Sequence, residues 1–158
     1  MDPVIEHSDY MRRVIELGCQ NLKRPFASLI VDTVRGEVVA EGLNKNYHNP
    51  VMHSEIVAIT EVVETIADPD WANYVLYTTA EPNSMAISGI LWTGIPKVVY
   101  GSSLATLNGL GYRHIAISAQ EIVDRATNLS CELVGGMLEQ ECNEIFAAAI
   151  KLEKAQLT

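Results

Sequence analysis

Residues 74–92 read YVLYTTAEPNSMAISGILW, and this stretch decides the fold. The run from Tyr74 to Thr79 is apolar and rich in β-branched and aromatic residues, so it predicts a buried strand. Pro82 lacks an N–H and ends the strand, and Asn83, a favoured N-cap residue, follows it at once. Asn83 to Trp92 predicts a short helix. We therefore predict a strand followed closely by a helix that the Asn83 side chain caps.

Strands and helices alternate on both sides of this unit. Their order, α-β-β-α-β-α-β-α-β-α, predicts an α/β protein, a three-layer α/β/α sandwich around one mixed five-stranded sheet. The length of 158 residues predicts a single domain over residues 1–158. The predicted helices cover residues 8–22 with Ser8 as N-cap, 53–66, 83–92, a segment opened by a capping box at 118–121, and 138–155; the predicted strands cover residues 26–31, 37–43, 74–79, 97–101 and 131–134.

The charge balance and hydropathy exclude two classes of partner. Acidic residues outnumber basic ones 20 to 11, and the formal net charge is −9. Nucleic-acid binders gain much of their affinity from Lys and Arg, and the densest basic spots here are only Arg12-Arg13 and Lys23-Arg24, so we expect no nucleic-acid partner. No apolar run approaches the roughly 18–20 residues of a membrane span, and the first ten residues do not resemble a signal peptide. We expect a cytoplasmic protein without membrane contact.

Three features of the core and surface are also predicted. The three cysteines are odd in number and form no C-x-x-C pair, so we expect Cys19, Cys131 and Cys142 to be buried free thiols. The position of Trp92 in its helix predicts a place in the core or in a dimer interface. The terminal helix carries an apolar face that could dock a partner, made of Leu138, Ile145, Phe146 and Ile150.

Four short segments share their order and spacing with a known family. They are Pro25-Phe26-Ala27-Ser28, Gly42-Leu43-Asn44, His53-Ser54-Glu55 and the run from Tyr77 to Pro82. Together with the segment 89–101, they make roughly residues 8 to 102 resemble the cytidine-deaminase superfamily, in its guanine-deaminase and tRNA-adenosine-deaminase branch. This resemblance implies the cytidine deaminase fold, a zinc ion held by one His and two Cys, and a purine-type ligand.

The chain departs from that family at the second half of the zinc motif. Asn83 and Ala86 stand where the family has its two cysteines, and His53 is the only surviving ligand of the motif. Zinc deaminases need one His and two thiolates to hold the ion that activates water. An amide is a poor zinc donor and Ala86 offers none, so we expect no zinc and no other cofactor. A metal site rearranged around another cysteine remains an alternative.

The resemblance also implies roles for individual side chains. Glu55 corresponds to the family's proton shuttle, and His53 stands beside it as a second acid/base or hydrogen-bond donor, so these two are the catalytic candidates. Asn44 either contacts a base edge or simply ends a strand, and Phe26 belongs either to the core or to the ligand site. The predicted substrate-binding set is Asn44, Phe26, Ser54 and Asn83.

Three functions remain open at this stage. The first is a pseudoenzyme, a ligand-binding or regulatory subunit that keeps a purine-like pocket. The second is a metal-free enzyme that acts on a small nitrogen heterocycle with Glu55 and His53. The third is a guanine or nucleoside deaminase with a rearranged zinc site. In each case we expect a homodimer, and a heterodimer with an active deaminase is an alternative.

Overall fold

A computed structural model describes residues 6–156 of the chain. Its strands and helices alternate in the predicted order, with one additional helix. The helices are α1 (His7–Gly18), α2 (Ser54–Thr65), α3 (Ser84–Thr93), α4 (Leu104–Leu110), α5 (Ala119–Arg125) and α6 (Glu139–Gln156), and the strands are β1 (Ala27–Asp32), β2 (Glu37–Leu43), β3 (Tyr74–Ala80), β4 (Lys97–Ser102) and β5 (Glu132–Val134).

The five strands form one sheet in the order β2-β1-β3-β4-β5. Strand β1 runs antiparallel to β2 and β3, whereas β4 runs parallel to β3 and β5. The predicted mixed five-stranded sheet is confirmed, with β2 and β5 at its two edges. Because β3 and β4 are parallel, their carboxyl ends meet at the same side of the sheet, where α3 and α4 begin.

Helices cover both faces of the sheet, so the predicted three-layer sandwich is confirmed. Alternation along β1 shows the two faces: Leu29 and Val31 pack with α1 and α6, whereas Ile30 packs with α2, α3 and α5. All three side chains are fully buried. Helix α4 lies against α6 and closes a smaller cluster around Phe146. The helices α2 and α3 therefore share one layer, which brings their N-termini together.

The first helix is shorter than predicted. It ends at Gly18 rather than residue 22, and Leu22 is exposed. A Cβ at position 18 would lie 2.8 Å from the Pro25 carbonyl oxygen, so the chain turns back closely against the helix end. Ser8 lies inside the helix, and Glu6 holds the N-cap position without a side-chain hydrogen bond. The predicted Ser8 cap is therefore wrong.

Helix α4 was not predicted from the sequence. The Ser103 hydroxyl caps it by accepting from the Thr106 N–H, and Gly111 ends it with a φ of +104°. A Ser at the N-cap and a Gly just after the last turn are ordinary helix signals, so these two residues could have revealed it. The helix has only seven residues, too few for a clear apolar period. The Ser118 cap of α5, by contrast, is confirmed by its bond from the Glu121 N–H.

Several predictions about burial need correction. Cys19 is exposed, although Cys131 and Cys142 are buried as predicted. Trp92 is 79 % exposed, so it is not part of the core of this chain. Of the four residues of the docking face predicted for the terminal helix, Phe146 is fully buried in its own molecule, whereas Leu138, Ile145 and Ile150 are half-buried. Among residues 6–156, no helix is long and apolar enough to cross a membrane.

Candidate functional site

A cavity of about 600 Å³ opens where β3 and β4 end and where α2 and α3 begin. In open α/β sheets this is the usual position for a ligand, and the volume is typical of small-molecule sites. Five of the six predicted site residues line it: Phe26, Asn44, His53, Glu55 and Asn83. The structure therefore brings together segments that are far apart in the sequence.

Gly42 allows α2 to approach the sheet closely. A Cβ at this position would lie 2.2 Å from the Ser54 carbonyl oxygen and 2.7 Å from the Ala58 nitrogen. Both atoms belong to the backbone of α2 and cannot move aside without shifting the helix. The absence of a side chain at position 42 is therefore what seats the first turn of α2, and with it Glu55, against the strands.

Glu55 lies at the floor of the cavity in a network of hydroxyl groups. Its carboxyl oxygens accept from the Ser54 hydroxyl at 3.3 Å and the Thr78 hydroxyl at 3.4 Å. The Ser28 hydroxyl connects these two, lying 2.8 Å from the Ser54 Oγ and 3.1 Å from the Thr78 Oγ1. Ser28 and Thr78 project from neighbouring strands toward α2, on the face that Ile30 also covers.

The environment of Glu55 favours its protonated form. The side chain is 6 % exposed, and burial raises the pKa of its carboxyl, while hydrogen bonds from its own backbone N–H and from Ser54 and Thr78 oppose the shift. No basic side chain forms an ion pair with Glu55 in the described part of the chain. A raised carboxyl pKa makes such a group a candidate proton donor or acceptor.

Asn83 connects the starts of α2 and α3. Its Oδ1 accepts from the Ala86 N–H at 2.9 Å, which is the N-cap bond that the sequence predicts, and this prediction is confirmed. Its Nδ2 lies 2.9 Å from the Nδ1 of His53. Because Nδ2 only donates, Nδ1 must accept, and the proton of the neutral imidazole sits on Nε2. Burial lowers the pKa of His53, while a hydrogen bond to the Pro50 carbonyl opposes the shift.

The donor set at this corner does not fit a catalytic zinc ion. Such an ion takes three protein ligands and keeps one position for water. Here the Nδ1 lone pair of His53 and both polar atoms of the Asn83 amide are already bonded, and Ala86, fully buried, offers no donor. None of the three cysteines lines the cavity. Across residues 6–156, no group of three or more His, Cys, Asp or Glu side chains could hold a metal ion.

Glu81 lies at the cavity wall but is held by two helix starts. One carboxyl oxygen accepts from the Leu104 N–H at 3.4 Å and the other from the Ala119 N–H at 3.1 Å. Free N–H groups at helix N-termini favour a carboxylate in this position. Glu81 thus joins the first turns of α4 and α5 to the end of β3, and no sequence motif in residues 103–135 indicated this role.

Two predicted ligand contacts have additional structural partners. The Asn44 Oδ1 accepts from the Asn46 N–H and forms a turn at the strand end, while its Nδ2 has no hydrogen-bond partner among the described residues. Both readings of Asn44 are therefore compatible with its position. Ser54 does not line the cavity; it is 1 % exposed and bonds to Ser28 and Glu55. The expected contact of Ser54 with a ligand is replaced by a contact with Glu55.

Phe26 belongs both to a core cluster and to the cavity wall. Its ring centroid lies 4.7 Å from that of Phe146 and 5.6 Å from that of Tyr112. The segment after α4, which the sequence left without a predicted role, therefore reaches the site. Its lining residues are Gly111, Tyr112, Arg113, His114 and Ile115, and α6 adds Ile150 and Glu153.

The fold and the site together define the class of protein. A mixed sheet between two helical layers, with His53 and Glu55 at the start of one helix and facing the start of the next, is the framework of the nucleobase and nucleoside deaminases. Residues 5–102 match the family model of the cytidine and deoxycytidylate deaminase zinc-binding region. The chain belongs to this family.

Two curated relatives and one solved structure show the branch and the fold. The tRNA-specific adenosine deaminase of Haemophilus influenzae is 28 % identical over 142 residues, covering 84 % of this chain and 79 % of that protein. The guanine deaminase of Bacillus subtilis is 28 % identical over 102 residues, covering 61 % of this chain and 64 % of its own length, just under two thirds. A crystal structure of a point mutant of the protein NE0047 in complex with 8-azaguanine superposes with a TM-score of 0.82 at 18 % identity, covering 92 % of this chain and 86 % of that one.

Proposed function

We propose that this chain is a deaminase-fold protein without catalytic zinc, which binds a purine-like nitrogen heterocycle as a ligand-binding or regulatory subunit. One observation carries the proposal: the Asn83 amide bonds to both His53 and the Ala86 N–H. This single side chain thus joins the two helices that a metal would otherwise join. Its bond also occupies the Nδ1 of His53, and the other ring nitrogen, Nε2, carries the proton.

The loss of both cysteines together is electrostatically tolerable. A Zn²⁺ ion with two thiolates and one neutral His carries no net charge, so exchanging all three for an amide and a methyl group leaves no unpaired charge behind. Hydrolytic deamination needs an activated water. With Asn83 and Ala86 in place, the residues at the cavity offer no ligand set that would activate one in the family's way.

The retained parts of the site support a purine-like ligand. Asn44 has an unpartnered Nδ2 donor, Glu55 can donate or accept at the cavity floor, and Phe26 supplies an aromatic wall. A heterocycle with adjacent donors and acceptors matches such a set. A mutant of the structurally similar protein NE0047 forms a complex with 8-azaguanine, which makes this compound a suitable first probe.

The test combines metal content with ligand binding. Protein purified without a His-tag is measured by mass spectrometry before and after incubation with excess zinc, and guanine and 8-azaguanine are titrated by calorimetry. We expect far less than one zinc per chain in both samples, together with measurable binding of at least one purine. Near one zinc per chain would contradict the zinc-free proposal, and the absence of any purine binding would contradict the ligand class.

A second candidate function is metal-free acid/base catalysis. Glu55, with a raised carboxyl pKa, and His53, with a lowered imidazole pKa, line one cavity, and such pairs are common at catalytic sites. Hydrolysis, isomerisation or proton transfer on a small nitrogen heterocycle would use them. Turnover that Glu55→Gln abolishes, while the variant still binds ligand, would favour this candidate over a binding subunit.

We also propose that the chain self-associates through the layer formed by α2 and α3. Trp92 on α3 and Val63 on α2 are large apolar side chains that are 79 % and 62 % exposed, and apolar surface of this kind is what a protein–protein interface would cover. Light scattering of the native chain and of Trp92→Ala tests for a homodimer, and mixing with an active deaminase tests for a heterodimer.

A cytoplasmic location is part of the proposal, and the unpaired cysteines support it.

A further inference from the structure

The mouth of the cavity differs in charge from the rest of the molecule. The chain has 11 basic and 20 acidic residues. Arg12, Arg13, Arg35 and Lys97 each lie within 4 Å of a carboxylate. Lys23, Arg24 and Arg113 line the cavity instead and form no ion pair within the described residues. Three unpaired cations thus meet at one opening of a strongly acidic protein.

The aromatic cluster behind the mouth brings these cations together. Arg24 lies two residues before Phe26, whose ring contacts Tyr112 edge-on, and Arg113 directly follows Tyr112. The Tyr112 hydroxyl donates to the Phe146 carbonyl at 2.9 Å, which anchors this segment to α6. Arg24 and Arg113, which are far apart in the sequence, therefore flank the two residues of one core contact and line the same cavity.

The next residue adds an unsatisfied polar atom. The Nδ1 of His114 is buried and has no hydrogen-bond partner among residues 6–156, although His114 lines the same cavity. Buried polar atoms are almost always paired, so an orphaned one at a cavity wall indicates a missing partner.

One carboxylate opposes the cations. Glu153 on α6 also lines the cavity, and the charges of Glu153 and Arg24 both reach Tyr112. The pKa of Tyr112 is raised to about 12, chiefly by burial and also by Glu153, while Arg24 opposes the shift. The deeper acids count for less. Glu81 is bonded to two backbone N–H groups, and the environment of Glu55 favours its neutral form.

We propose that Lys23, Arg24 and Arg113 bind a phosphate group, so that the ligand of this cavity is a purine nucleoside monophosphate rather than a free base. The inference rests on the purine-like ligand of the proposed function. Arg is well suited to phosphate because its planar fork can donate two hydrogen bonds to it. A polynucleotide would require basic residues spread over a longer surface, and the other bases here are scattered or paired with acids.

The experiment compares guanine and adenine ligands with and without phosphate. GMP, guanosine, AMP and adenosine are titrated by calorimetry at low salt against the native chain, Arg24→Ala, Arg113→Ala and the control Arg125→Ala. Arg125 is exposed on α5 and does not line the cavity. Its replacement therefore changes the net charge as much as the other two substitutions do, but away from the cavity.

We expect one nucleotide to bind at least about tenfold more tightly than its nucleoside, the size of a charge-assisted hydrogen bond to phosphate. Arg24→Ala and Arg113→Ala should each remove about tenfold of nucleotide binding and leave nucleoside binding unchanged, and Arg125→Ala should leave both unchanged. Glu153→Gln should tighten nucleotide binding severalfold, because it removes the opposing charge.

Three outcomes would overturn the inference in different ways. Equal binding of nucleotide and nucleoside removes the phosphate site but leaves the proposed purine cavity intact. No binding of any purine compound removes both proposals. A short single-stranded RNA that binds more tightly than either nucleotide, with the same dependence on Arg24 and Arg113, replaces the nucleotide with a polynucleotide.

Discussion

The two helices that meet at the cavity begin in different ways. Helix α2 has His53 at its N-cap position with no side-chain cap bond, whereas Asn83 caps α3 with its own amide. The same Asn83 also donates to His53, so the uncapped helix is held by the capped one. A helix start without its own cap can therefore be fixed by a neighbour, and here one neutral amide makes a cross-link of the kind that the family makes with metal.

The strongest way to break this comparison is to restore the metal ligands. Asn83→Cys combined with Ala86→Cys rebuilds, beside His53, the one-His, two-Cys set of the family. We expect zinc content to rise from far below one to about one ion per chain, measured by mass spectrometry, because three ligands in the family's spacing bind zinc tightly.

Asn83→Cys alone is the matched control. It gives only two ligands and removes the cap bond, so it should bind little zinc and be less stable than the native chain. If the double variant stays free of zinc while it remains folded, the α2 and α3 starts are not arranged as the family's metal site requires.

Removing the cross-link should have the next largest effect. Asn83→Ala loses the cap of α3 and leaves the His53 Nδ1 unpaired, so we expect about 2–3 kcal/mol less stability in urea unfolding. Ser103→Ala removes only the cap of α4 and should cost about 1 kcal/mol. Equal losses in the two variants would show that the bond to His53 adds nothing to the cap.

The buried carboxyl at the start of α2 provides a pH-dependent test. The raised pKa of Glu55 in the folded state means that folding favours the protonated carboxyl. The contribution of this preference to the free energy of unfolding is fully present below the unfolded pKa and is lost as pH rises through the folded pKa. Glu55→Gln removes the ionisation and should be more stable than the native chain by about 1 kcal/mol at pH 8.

The difference between the native chain and Glu55→Gln should shrink toward zero in acid, where the native carboxyl is protonated as well. Glu61→Gln is the control, because Glu61 lies on the same helix and its carboxylate lies at the surface, where it accepts from the Glu41 N–H. A stability gain that is the same at pH 4 and pH 8 would contradict burial of an ionisable Glu55 as the cause.

The smallest expected effect concerns the charge of His53. Its lowered pKa means that the folded state disfavours the imidazolium, so stability is lost as pH falls from the unfolded value of about 6.5 toward the folded one. Asn83→Asp keeps a cap oxygen and replaces the donor with a carboxylate that accepts from a protonated ring. We expect the His53 pKa, measured by NMR, to rise by about one unit or more.

If the pKa of His53 does not change in Asn83→Asp, the His53–Asn83 contact is absent in solution. The stability of this variant separates the two roles of the side chain, because the cap should survive while the neutral hydrogen bond to the ring does not. A loss as large as that of Asn83→Ala would show that the amide nitrogen carries most of the stabilisation.

The sequence predicted the framework well because its signals are local. The apolar run before Pro82, the N-cap at Asn83 and the period of α2 each depend on neighbours a few residues away. The seven residues of α4 were missed because a helix of two turns has no clear period, and α1 was overextended because its end depends on the contact between Gly18 and Pro25. The full burial of Phe146 and the exposure of Trp92 could not be predicted, because an apolar residue does not itself reveal which surface covers it.

By itself, the sequence determined the order of the elements, the family and the substitution of both cysteine positions by Asn83 and Ala86. The tertiary structure alone decided that Asn83 bonds to His53, that Ser54 faces Glu55 rather than the cavity, and that Arg24 and Arg113 meet at one opening. The physical reason is distance along the chain. Hydrogen bonds and charges act between atoms a few ångströms apart, and residues separated by 30 or 90 positions come that close only when the sheet and its helices have packed.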